Sequence, residues 1–186
     1  MRPLIVTTFL SADGVMEAPG GGTHRSAGWT FQNIEFVPEA YEMKGREQEE
    51  AGALLLGRQS YEEFAPVWPT MDDFAGYNAM PRYVVSTTME RDDERWPATI
   101  LRSVDDVAAL KQTEGGPILV HGSATLAAGL SDAGLVDRYQ LLVFPVLLGA
   151  GKRLFSESDV DAVKLALVEC EAYRNGIVKQ VYDVVR

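Results

Sequence analysis

Between Ile118 and Asp137 an apolar run stops at His121-Gly122-Ser123 and yields to a helical pattern with Leu126 and Leu130 four apart. A strand that breaks into small residues and then enters a helix leaves backbone N–H groups unpaired at the helix start. With the helix dipole they form an anion site. Gly122, Ser123, Ala124, Thr125 and Leu126 are therefore a candidate cradle for a dinucleotide pyrophosphate. A second strand-to-helix turn reads Leu56-Gly57-Arg58-Gln59-Ser60-Tyr61. Gly57 permits close backbone approach, and Ser60 can donate to a phosphate or cap the helix. Arg58 offers a planar fork suited to the phosphate that distinguishes NADP from NAD, or to a surface ion pair. Ser86, Thr87 and Thr88 put three hydroxyls at the end of a third strand, where open α/β sheets bind ligands. The local alternative for them is a turn held by hydroxyl-to-backbone bonds.

Four further residues could meet a substrate. His121 precedes the small-residue turn and is chemically versatile near neutrality, although a buried, hydrogen-bonded histidine is the plainer reading. Asp13, in Ser-Ala-Asp-Gly, is a candidate catalytic carboxylate and equally an ordinary turn residue. Trp29 and Trp68 could wall a pocket or pack in a core. No metal site is expected, because two His and one Cys show no ligand spacing. There is no Gly-x-Ser-x-Gly elbow for an acyl-transfer nucleophile.

The elements that must position these residues alternate. Residues 3–10, 53–56, 83–86, 100–101, 117–121 and 137–144 read as strands, and 38–51, 59–64, 104–112 and 123–131 as helices. Ser103 with Asp105 and Asp106 marks the start of the third helix. Residues from Pro66 to Gly76 read as a loop. Such alternation favours a mainly parallel sheet with helices on both faces. The tail differs: runs 163–172 and 177–185 flank Arg174-Asn175-Gly176, and Asn-Gly predicts a tight antiparallel hairpin with positive φ at both turn positions. Residues 14–30 carry Gly20, Gly21, Gly22 and Gly28, with Met16, His24, Arg25 and Trp29, and are expected to form a mobile lid.

Composition bounds the rest. The 186 residues are expected to form a single domain, residues 1–186. A net charge of −10 argues against nucleic-acid binding. Much of it lies in Glu39, Glu42, Glu47, Glu49 and Glu50, which read as a solvated helix face. No apolar run approaches a membrane span and no signal segment is visible, so the expected location is cytoplasmic. The single Cys170 suits a reducing compartment, and its strand position suggests a buried structural thiol. The apolar runs near 137–144 and 163–172 suggest a symmetric homodimer.

After the helix that follows His121-Gly122-Ser123 come Ala133-Gly-Leu-Val-Asp137 and Leu141-Leu-Val-Phe-Pro-Val-Leu-Leu-Gly-Ala-Gly-Lys-Arg-Leu-Phe155. This block resembles the C-terminal reductase domain of the riboflavin-biosynthesis deaminase–reductases, a branch of the dihydrofolate-reductase-like superfamily. The similarity continues through Thr8-Phe-Leu-Ser-Ala-Asp-Gly14, Leu56 to Tyr61 and Val84 to Thr88, in the family's order. It implies a three-layer α/β fold with a mainly parallel sheet and a C-terminal antiparallel hairpin. It further implies NADPH as cofactor, held by the Gly57, Ser86 and Gly122 turns. The substrate would be a small heterocycle: a pterin, a pyrimidine, or a riboflavin precursor such as 5-amino-6-(5-phosphoribosylamino)uracil. Two departures stand out. His121 occupies a position that is usually glutamate in the riboflavin-pathway reductases, and the chain shows no zinc-deaminase signature. The alternative from another class is a non-catalytic NADP(H)-binding or regulatory module.

Overall fold

Strand β1 (Leu4–Ser11) is an almost unbroken run of apolar and β-branched residues buried on both faces, the pattern of a central strand in a parallel sheet. A computed structural model describes residues 1–32, 34–155 and 162–186. In it β1 pairs in parallel with β5 (Ile118–His121) on one side and β6 (Arg138–Phe144) on the other. Beyond β5 lie β2 (Ala53–Gly57), β3 (Arg82–Val85) and β4 (Thr99–Leu101), all parallel. Beyond β6 lie β8 (Val178–Val184) and then β7 (Leu165–Ala172), joined as an antiparallel pair. The eight-stranded order is β4-β3-β2-β5-β1-β6-β8-β7.

Helices cover both faces. On one side α4 (Val104–Lys111) and α5 (Ala124–Asp132) pack Val107, Leu110, Ala127 and Leu130 on Leu4, Val6, Leu55 and Val120. On the other, α2 (Arg58–Phe64) and α3 (Ala75–Ala79) pack Tyr61 and Tyr77 on Ile5, Leu54, Leu56 and Leu119. Helix α1 (Glu42–Glu50) covers the same face nearer β6, through Met43, and a 3-10 turn at Pro38–Tyr41 leads into it. The start of α4 is fully capped: Ser103 accepts from the Asp106 N–H, and Asp106 reaches back to the Ser103 N–H.

Several expectations change. Helix α3 and its flanking 3-10 turns occupy part of the expected 66–76 loop. The hairpin turn is a three-residue loop. The Gly176 N–H donates to the Tyr173 carbonyl, the Tyr173 N–H donates to Ile177, and Gly176 alone takes positive φ (+84°). This is a type I turn closed by a left-handed glycine, so Asn175 needs no positive φ. Cys170 is exposed, because β7 forms an edge of the sheet and covers little. Glu47 is not on a solvated face; it is buried beneath α1. The 14–30 segment lacks helix and strand, yet Val15, Met16, Trp29 and Thr30 are buried. It is latched to the segment after β6: the Met16 N–H donates to Lys152, Arg25 donates to Leu148, and His24 Nε2 lies 3.1 Å from the Ala150 carbonyl.

The Ala-Gly-Leu-Val-Asp block has a structural reason. Asp137 accepts from the Leu4 N–H at 2.7 Å and pairs with Lys111 and Arg186, tying β1, α4, β6 and the C-terminus together. Lys111 is almost fully buried and also donates to the Leu135 carbonyl. Removing its carboxylate leaves a buried cation unpaired, a change that typically costs about 3–5 kcal/mol. Asp137→Ala is expected to lower the urea-unfolding free energy by about that much. A loss under about 1 kcal/mol would mean that solvent replaces the carboxylate at this position.

Candidate active site

The two strand-to-helix turns meet. Ser123 follows Gly122 in the left-handed region, at φ +64° and +62°. This turns the Ser123 hydroxyl away from its own helix and toward α2. Its oxygen accepts from the Gly57 N–H at 2.8 Å, and its proton goes to Ser60 Oγ at 2.9 Å. A Cβ at Gly57 would stand 3.4 Å from Ser123 and 3.6 Å from Leu126, ordinary van der Waals contact, so the turn packs closely without reserving the position for glycine. Neither α2 nor α5 has a side-chain N-cap or an acidic residue in its first turn, unlike the fully capped α4. Two adjacent uncapped helix starts present free N–H groups toward one region, and both dipoles favour an anion there.

The third block joins them through Arg58. Its guanidinium pairs with Glu62 at 2.6 Å and donates to Thr88 Oγ1 at 2.8 Å. Thr87 and Thr88 are exposed. The buried Ser86 accepts from the N–H groups of Thr88 and Met89, so its oxygen makes the local turn. Gln59 takes a hydrogen bond from Lys152, a cation at these turns that spacing gave no means to find.

Asp13 makes turn contacts. It accepts from Ser11 Oγ at 2.6 Å and from the N–H groups of Leu148 and Gly149, with Arg153 3.6 Å away. The Ser11 hydrogen bond, followed by the two backbone ones, holds its carboxyl well below the usual range, so it is not a proton donor at neutral pH. It fixes the end of β1 to the loop after β6.

The two tryptophans sit apart. Trp68 is stacked between Phe64, at 4.3 Å, and Phe74, at 4.5 Å, with its ring edge-on to His121 at 5.1 Å. Trp29 packs edge-on to Phe144 and donates to the Glu17 carbonyl. It lines a cavity of about 530 Å³ with Ile34, Val146, Leu148 and Arg174, to which none of the three turns contributes. Trp68 thus borders the turn region; Trp29 does not.

His121 ends β5 with Phe64, Trp68 and Tyr77 around its ring, and its buried Nδ1 has no hydrogen-bond partner among the described residues. Burial, and secondarily the charge of Lys44, holds its pKa well below 6.5. A set of polar groups that the sequence reading did not assign to the site lies beside it: Thr7, Lys44, Glu47 and Tyr77. Burial pushes the Lys44 ammonium down and, with Glu47, the Tyr77 phenol well up. Among the described residues no His, Cys, Asp and Glu cluster could hold a metal, and no helix is long and apolar enough to cross a membrane.

The model of the RibD C-terminal domain matches residues 2–179. The chain belongs to that family. Membership makes it a reductase with a dihydrofolate-reductase-like fold. Over 136 residues, 69% of this chain and 72% of the other, it is 28% identical to the uncharacterized protein YyaP of Bacillus subtilis. A structure described as that of a riboflavin biosynthesis protein from Shewanella sp. PV-4 superposes over the whole of both chains, with a TM-score of 0.81 and 19% identity. A pyrimidine reductase-like protein from Corynebacterium diphtheriae matches all of this chain and 92% of its own (TM-score 0.67, 13% identity). The dihydrofolate reductase of Enterococcus faecalis, in complex with NADP(H), matches 99% of this chain and 97% of its own (TM-score 0.64, 15% identity).

The depressed His121 pKa has a thermodynamic consequence. An unfolded imidazole takes up a proton near pH 6.5, whereas the buried one stays neutral to lower pH. Stability is therefore complete above pH 6.5 and falls below it by about 1.4 kcal/mol per pH unit, until the folded ring itself titrates. Between pH 7.5 and 5.5 the wild type is expected to lose about 1 kcal/mol more than His121→Leu in urea unfolding. Equal losses would show that the ring titrates alike in both states.

Proposed function

We propose that the protein is an NADPH-dependent reductase that delivers hydride to a small heterocycle of the pterin, pyrimidine or riboflavin-precursor type. The observation that carries this is the pair of uncapped helix starts locked together by Ser123, with Arg58 and Thr88 beside them. In this reading the pyrophosphate lies on the backbone of Gly122, Ser123, Ala124, Thr125 and Leu126 and on Gly57 and Ser60. Arg58, with Thr87 and Thr88, receives the 2′-phosphate, Gln59 with Lys152 stands at the rim, and Trp68 and His121 face the substrate. Bound NADPH supplies the two electrons; the chain orients ring and acceptor, excludes water and provides a proton. The NADP(H) complex of the Enterococcus reductase and the name of the Corynebacterium protein lend support. Loss of NADPH absorbance with a panel of pterins, aminopyrimidine ribosides and quinones tests the assignment; binding without turnover on every acceptor would favour a binding module.

Arg58→Ala separates the two cofactors. Losing one charge-assisted contact costs about 1.5–3 kcal/mol, roughly ten- to a hundredfold in affinity. NADPH is expected to weaken by that factor in a fluorescence titration, with NADH nearly unchanged. Equal losses would remove Arg58 from the 2′-phosphate role.

We also assign the edge strand β7 to a symmetric homodimer. It leaves Leu167 (58% exposed) and Val168 (52%) uncovered along a run of unpaired backbone groups. A sedimentation run showing a monomer at micromolar concentration would end this assignment. The proposed location is the cytoplasm, which suits one exposed thiol.

A further inference from the structure

Five polar side chains from four separate segments converge on one point of the sheet, and none is needed to hold the cofactor. Thr7 on β1 and His121 on β5 are direct neighbours across the parallel ladder. Above them α1 lowers Lys44 and Glu47, and α3 adds Tyr77. Thr7 Oγ1 donates to Glu47 Oε1 at 2.6 Å, and the Tyr77 hydroxyl donates to Glu47 Oε2 at 3.2 Å. The Lys44 ammonium donates to Thr7 Oγ1 and lies 3.2 and 3.4 Å from the two Glu47 oxygens. One proton can serve both of those longer contacts, which leaves Lys44 with donor capacity.

An ion pair buried in this way is a poor source of stability, because desolvation opposes its attraction. The unpartnered His121 Nδ1 a few ångströms along the ladder is a further cost. His121 is the last residue of β5, immediately before the Gly122-Ser123 turn, and Thr7 faces it from the middle of β1. Ligands of open α/β sheets sit at such carboxyl ends of strands.

Three other candidate groups, of which Asp13 lies apart at the end of β1, do not release a proton readily. Asp13 is ionised and fully engaged. Burial and Glu47 make Tyr77 hold its proton, and His121 is neutral. Burial acts in the opposite sense on Lys44, loosening its proton more than Glu47 retains it.

We propose that Lys44 is the proton donor of the reduction, aimed by Thr7, Glu47 and Tyr77, while His121 Nδ1 accepts a hydrogen bond from a ring N–H of the substrate. This rests on the reductase reading above. In the step, hydride from NADPH bonds to the acceptor carbon of a C=N or C=O group, and the π electrons move to the heteroatom. The heteroatom takes a proton from Lys44 Nζ. NADPH becomes NADP⁺, the acceptor gains two electrons and two hydrogens, and the neutral amine recovers its proton from solvent. The Lys44–Glu47 pair carries no net charge beside a neutral imidazole, so the end of the substrate that enters here is an uncharged ring.

The test uses the full chain with two substitutions at Lys44. Lys44→Arg keeps the charge and the Glu47 pair but holds its proton far more firmly, and Lys44→Met removes the proton altogether. With NADPH and 5-amino-6-(5-phosphoribosylamino)uracil as the first acceptor probe, both variants should lose about 10²–10⁴ in kcat, the usual weight of a general acid. NADPH affinity, read by quenching of tryptophan fluorescence, should stay within twofold of wild type. The alkaline limb of the wild-type kcat profile should move to lower pH in Glu47→Gln, since removing the carboxylate charge loosens the Lys44 proton further. Independently of any acceptor, ¹⁵N NMR of the apo protein should show Lys44 Nζ titrating below the ordinary lysine value of 10.5. A Lys44 that titrates at or above 10.5, or a Lys44→Met variant with kcat within twofold of wild type, overturns the proposal. A wild-type chain that does not bind NADPH instead removes the reductase reading on which it rests.

Discussion

The site depends on one hydroxyl. Ser123 adopts a left-handed backbone that ordinarily costs a non-glycine residue about 1–2 kcal/mol, and its side chain then bridges to Gly57 and Ser60. Had Ser123 taken the usual extended N-cap conformation, its oxygen would have satisfied the first N–H groups of α5. It joins two crossover units instead, and both helix starts keep their unpaired donors facing one space. The Gly57 N–H and the positive φ at Gly122 serve the same joint.

The opposite side of the sheet end is built by a different device. Asp13 gathers the Ser11 hydroxyl and two N–H groups from the segment after β6, and His24, Arg25 and Glu17 draw the glycine-rich loop onto that same segment. The loop owes its course to backbone carbonyls and one carboxylate more than to apolar packing, except at Val15, Met16 and Trp29. The aromatic stack of Phe64, Trp68 and Phe74 then walls the space above His121 from the α2 side. Polar cluster, aromatic wall and the two strand-to-helix turns thus come from different parts of the chain and lie along β1, β2 and β5.

What the sequence revealed was local. The Ser103 cap, the two small-residue turns and the alternation of strands and helices depend on neighbours a few residues apart, and all are present. What it concealed depends on strand order. Glu47 lies in a run of acids whose helix has almost no apolar stripe, so nothing nearby distinguishes the one carboxylate that faces Thr7 and Tyr77. Cys170 sits in an alternating strand that would be buried in the middle of a sheet and is exposed because β7 is last. Asn175-Gly176 signals a turn, but the choice between a two- and a three-residue loop is made by the β7–β8 register and its irregularity at Leu167/Glu169. Trp29 and Trp68 look alike in the chain and are parted by the fold.

The two margins of the sheet are unequal. At one end β4 offers three residues; at the other β7 offers eight, with apolar side chains outward. A sheet with two long open margins can add copies indefinitely and grow into a fibre. A two-fold partner on β7, as proposed above, would consume the long margin of both copies and leave a three-residue stub at each end. Growth by edge pairing would then be self-limiting at two, and the asymmetry of the sheet would guard against polymerisation.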